Sequence, residues 1–192
     1  MKDFFFKVCW LAYPAAVWFY MLWCRVYRVV FLRQYDGIAV PGFKAPEEAV
    51  VQMRKVAWKP DGILQIYDEC GTAQRFQYIL DQINRGRPQP EIACDCDDYA
   101  AWGVVVLHPR YKPRMLFVAW QTITGGIGGH AVCVFYDPKT GRYGHIGNWG
   151  IFTDLAGDSA IAKSIANDAG SRKFLGYTVT TCDLEVLECR RA

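Results

Sequence analysis

Apolar and polar positions divide the chain into three stretches of different period. The first, Val8 to Cys24, runs seventeen residues without a charge, the lower limit for a helix that crosses a bilayer. Trp10, Tyr13, Trp18, Tyr20 and Trp23 dilute its hydrophobicity and Pro14 would kink it, which leaves room for a tilted or interfacial helix, or for a buried core helix. The second stretch is helical in period. "APEEAVVQMRKVAW" sets Pro46 and two acids at a helix start, and "GTAQRFQYILDQINRG" spaces Phe76, Ile79, Leu80 and Ile83 along one helical face before Gly86 ends it. In the third stretch the period shortens. "PRMLFVAWQTI", "GHAVCVFYD", "GRYGHIGNW" and "KFLGYTVTTCDLEVL" are rich in β-branched and aromatic residues and parted by glycine or proline turns, so they predict strands. Helices followed by strands predict an α+β domain with N-terminal helices packed on an antiparallel β-sheet.

The linker "YDGIAVPGFKAPEE" parts the first stretch from the rest, so the expected organisation is a hydrophobic anchor helix over residues 1–35 and one domain over 36–192. No small-residue cleavage site follows the apolar run, which reads as an uncleaved anchor with residues 4–33 in the membrane. Arg25, Arg28 and Arg33 outweigh Lys2 and Lys7, which expects the domain on the cytoplasmic side of a membrane. Twenty-two basic against nineteen acidic residues, with no basic run, exclude a nucleic-acid surface. Eight cysteines at irregular spacing, in a chain long enough for its own core, are expected as reduced thiols.

Candidate chemistry concentrates in "EIACDCDDYAAW". Asp95 reads as an N-cap, with Asp98 three residues on completing an approximate capping box, which puts Cys96 in a first helical turn. Unpaired backbone N–H groups there favour a thiolate, although Asp97 and Asp98 oppose it. Of three histidines, His108 in "LHPR" is accounted for by a helix end. His130 opens an apolar strand and His145 lies in the next. If Tyr136 pairs with Arg142 across the turn "DPKTG", then His130 faces Asn148 and His145 takes the other sheet face. A one-residue slip would break that pairing.

These motifs resemble those of the transglutaminase-like cysteine peptidase superfamily. "DCDDYAAW" is similar to its nucleophile motif at the start of the central helix, "GHAVCVFYD" to its histidine strand, and "GHIGNWG" to the strand carrying the third residue. "WKPDGILQIYDECGTAQRFQYIL" loosely resembles the upstream segment of bacterial and phage members. The resemblance spans about residues 58 to 152 and implies a papain/transglutaminase-like core. It further implies Cys96 as nucleophile, rather than Cys94, and His130 as base. For the third member the family's usual aspartate is replaced by Asn148; Asp137 and Asp154 are the alternatives.

The implied reaction is attack of the Cys96 thiolate on an amide carbonyl of a protein or peptide substrate. The resulting thioester is resolved by water, or by an amine, after His130 protonates the leaving amine. Gln89 is a candidate oxyanion donor. No cofactor and no metal site is expected: the one-residue spacing of Cys94 and Cys96 fits zinc poorly, and "GGIGG" precedes a strand, so it is a turn and not a phosphate loop. Cys70, Cys182 and Cys189 read as small apolar side chains. The competing class is a catalytically inactive member of the same fold that acts as a membrane-associated binding or assembly module.

Overall fold

A change of hydrophobic period near residue 114 marks the boundary between a helical layer and a sheet. The computed structural model describes residues 13–59 and 71–192; residues 4–12 of the expected membrane segment, and the stretch 60–70 with Cys70, lie outside the described residues. Helices α1 (Tyr13–Phe31), α2 (Pro46–Met53), α3 (Ala73–Asn84) and α4 (Cys96–Val106) precede strands β1 (Arg114–Gln121), β2 (Ile127–Asp137), β3 (Arg142–Gly147) and β4 (Gly150–Leu155). A helix α5 (Asp158–Asp168) then leads to β5 (Lys173–Thr180) and β6 (Val186–Arg191). All strand pairs are antiparallel, in the order β4-β3-β2-β1-β5-β6. The chain is therefore α+β, as expected.

The sheet is covered on both faces. On one, α4 lies against β2 with α3 and α2 beside it, burying Phe76, Ile79, Trp102 and Val106 against Cys133, Phe135 and Ile146. Gly103 makes this approach possible, since a Cβ there would lie 2.7 Å from the Cys133 Cβ. On the other face α5 buries Ile161 and Ile165 against Leu116, Val118, Val132 and Val134. This helix was not expected: "DSAIAKSIAND" is short, and its apolar stripe is weak until the sheet supplies the surface it covers. The run "KFLGYTVTTCDLEVL" also folds as two strands, because a turn at Thr181–Leu184 (Leu184 N–H to the Thr181 carbonyl, 3.1 Å) reverses the chain.

Helix α1 does not stand apart from the domain. Met21, Cys24 and Leu32 are buried. The Arg25 guanidinium donates to the carbonyls of Asp183 (3.2 Å) and Leu184 (2.9 Å), and Arg28 donates to the carbonyls of Cys182 (2.6 Å) and Gly71. Among the described residues no helix is long and apolar enough to cross a membrane. The expectation of reduced thiols fails at Cys24, which is disulfide-bonded; irregular spacing along the chain carries no information on which thiols meet in space.

The β2–β3 register also corrects the expectation. Asp137 faces Arg142 and Tyr136 faces Tyr143, one residue from the anticipated pairing. The cause is the turn. Asp137 caps a four-residue loop, its carboxylate accepting from the Lys139 N–H (2.9 Å) and the Thr140 hydroxyl (3.1 Å), and Gly141 takes φ 71° to close it.

Candidate functional site

Cys96 is the first residue of α4, and its position follows from local capping. The Asp95 carboxylate accepts from the Asp97 N–H (3.2 Å), while the Asp98 carboxylate accepts from the Asp95 N–H (3.3 Å), closing the expected capping box. Asp98 has a second task that the sequence did not announce: Arg75 of α3 grips it with two bonds, Nε to Oδ1 (2.8 Å) and a terminal nitrogen to Oδ2 (2.5 Å), both side chains being buried. Burial outweighs the pull of Arg75 and pushes the Asp98 carboxyl up to about 6. Asp97 accepts from the Gly71 N–H (2.5 Å). The carboxylates of Asp95, Asp97 and Asp98 lie within 4.8 Å of one another, and these bonds commit each to holding the helix start in place.

The two cysteines of the motif differ in setting. Cys94 precedes the N-cap, exchanges both backbone hydrogen bonds with Lys59 (2.9 and 3.0 Å), and is fully buried, which pushes its thiol strongly upward. Cys96 is half-buried and lines a cavity of about 480 Å³ with Met21, Phe117, Ala119, Ala131 and Thr178; His130 lines it too.

The one-residue shift in register governs what surrounds His130. Continuing the β2–β3 count brings it level with Trp149 instead of Asn148, and the two rings stack with centroids 4.0 Å apart and 15° between planes. His145, paired with Val134, joins His130 on the α5 face of the sheet and stacks on Phe152 (4.7 Å, 12°). Alternation turns His130 with Val132 and Val134 toward that face, whereas Ala131 and Cys133 point toward α4. The side chains of Cys96 and His130 are thus directed to opposite faces of β2. Burial, and secondarily the charge of His145, lowers His130 to about 4; burial lowers His145 to about 4 as well. Both imidazoles are neutral at pH 7.

Asn148 lies in the two-residue turn between β3 and β4. Its Oδ1 and the His130 Nε2 are both buried without a hydrogen-bond partner, so the expected amide–imidazole bond is not made. The alternatives are engaged elsewhere: Asp137 caps its turn, and Asp154 pairs with Arg142 at 3.0 Å on the surface. Gln89 exchanges two bonds with the Ala57 backbone, which corrects its reading as an oxyanion donor. His108 serves locally, though not at the helix end expected of it: its Nδ1 accepts from the Arg110 N–H (3.1 Å) and caps the start of the short 3-10 turn Pro109–Tyr111. Trp149 is the neighbour of His130 that the sequence reading missed; a register counted from the correct turn length would have found it. No protein-family model, curated protein or solved structure matches this chain.

Proposed function

We propose that the chain carries out cysteine-dependent acyl transfer, in its simplest form hydrolysis of a peptide, isopeptide or other amide bond. The observation that carries this reading is the setting of Cys96, a half-buried thiol at the capped start of an eleven-residue helix, opening onto a cavity whose lining includes His130. The resemblance of the motifs, and a central helix packed against the histidine strand, support a papain/transglutaminase-like core for the α+β fold.

In the proposed reaction the Cys96 sulfur bonds to the carbonyl carbon, and its proton passes through His130 to the leaving amine. Water then cleaves the thioester, returning the proton to the thiol. His130 is neutral, as a base must be, but while it stays buried a value lowered to about 4 makes it a weak base toward a thiol. For this role the imidazole, which lies on the α5 side of β2, must come round to the Cys96 side, and that requires the paired start of β2 to rearrange. Catalytic hydrogen bonds commonly tighten only once substrate is bound.

A second reading has its own observation. With the imidazole stacked under Trp149 on the far side of β2, the same cavity serves as a binding pocket and the fold as a non-catalytic module. Iodoacetamide labelling separates the two. The acyl-transfer reading expects Cys96 to react faster than the other thiols, with a pH profile that shifts in His130→Gln. A profile unchanged by that substitution, with alkylation spread over several thiols, would transfer the assignment to the binding module.

A further inference from the structure

We infer that the outer face of α1 is a membrane-interface surface, on which the protein rests with the helix parallel to the bilayer rather than across it. This inference does not depend on the acyl-transfer reading. Its first ground is that α1 is inside out for a helix on a water-facing domain. Met21, Cys24, Arg28 and Leu32, spaced three or four apart, face inward, and the charged members of the helix, Arg25 and Arg28, spend their donors on carbonyls of the domain. Outward stand Trp18 (57% exposed), Phe19 (64%), Trp23 (42%), Val26 (48%), Val29 (71%) and Val30 (60%). At 100° per residue these six cover an arc of about 140° with no charge inside it. Together they expose on the order of 600 Å² of apolar surface, at the upper end of the largest patch found on soluble monomers.

The second ground concerns what covers this face. Two helices that pair use a narrow seam of a and d positions. An arc of 140° that begins with indoles and continues through valines suits a continuous apolar medium, where tryptophan settles at headgroup depth. Charge agrees: Arg25 at the margin of the arc and Arg33 just past the helix end are both exposed, and the chain carries a net charge of +3, complementary to an anionic lipid surface. A span is disfavoured because Arg25 and Arg28 hold α1 against the domain through carbonyls of residues 182–184. Because Met21 lines the Cys96 cavity from the inner side of the same helix, that cavity sits next to the lipid-facing element.

The test is flotation of the full chain with vesicles of phosphatidylcholine, with and without a quarter phosphatidylserine, followed by alkaline carbonate washing. The expected result is binding that phosphatidylserine strengthens, release by carbonate, and a loss of at least tenfold in Val26→Glu/Val30→Glu, whose substitutions sit on exposed positions and leave the circular dichroism spectrum unchanged. Retention after carbonate would overturn the in-plane mode in favour of a span. Absence of flotation, flotation indifferent to the double substitution, or sedimentation of a vesicle-free dimer that the substitution dissociates would each overturn the bilayer as occupant, the last in favour of a second copy of the chain.

Discussion

Replacing His145 by phenylalanine should make the acid side of the protein's stability profile less steep. His145 is 3% exposed, and burial alone holds its imidazole down to about 4, against about 6.5 in an unfolded chain. Because the folded value is depressed, the unfolded chain binds the extra proton between these limits. The penalty is absent above pH 6.5 and complete below pH 4, so stability falls as the pH falls through that window. A shift of this size amounts to about 3 kcal/mol, a large part of the 5 to 15 kcal/mol typical of a domain. Asp98 acts in the opposite sense. Its carboxyl, raised to about 6, takes up a proton earlier in the folded chain and so offsets part of the loss. His130, lowered to about 4 as well, adds a loss of its own in the same window, and comparison of wild type with His145→Phe isolates His145 because Asp98 and His130 are common to both. The phenyl ring can keep the stack on Phe152, and it removes an Nδ1 that has no hydrogen-bond partner, so the variant should match or exceed wild type at pH 7. Urea denaturation at half-unit steps from pH 7 to 4 reads the difference. Wild type should lose about 3 kcal/mol more than the variant across the series. Parallel profiles would refute the reasoning, since they would mean that His145 is hydrated or paired in the folded chain.

Arg75→Met strands the buried Asp98 carboxylate and should cost about 3 to 5 kcal/mol in chemical denaturation. Arg75→Met/Asp98→Leu should recover most of this; equal loss in the single and double variants would place the cost in packing rather than charge. Iodoacetamide applied to unfolded, unreduced protein should leave Cys24 unmodified in peptide mapping and modify it only after reduction, whereas labelling without reductant would refute the disulfide at Cys24.

Short-range chemistry was legible from the chain alone. The α+β class followed from the change of period, and the start of α4 from Asp95 and Asp98, because a capping box is closed within four residues. The separation of Cys94 from Cys96 followed from the same cap. What escaped the sequence depended on contacts between distant segments or on a count where one residue reverses the answer. Strand register is such a count: with a side-chain period of two, a four-residue turn in place of five moved His130 from Asn148 to Trp149 and brought His145 onto its face. Helix α5 is weak until the sheet offers the apolar face it covers. The partnership of Arg75 with Asp98 joins residues 23 apart, and neither identity names the other. Helix α1 illustrates the division best. Its apolar composition was plain from the residues, but which side faces the protein was decided by carbonyls that accept from Arg25 and Arg28: Gly71 just before α3, and residues 182–184, which reach their positions only once the β5–β6 turn has folded.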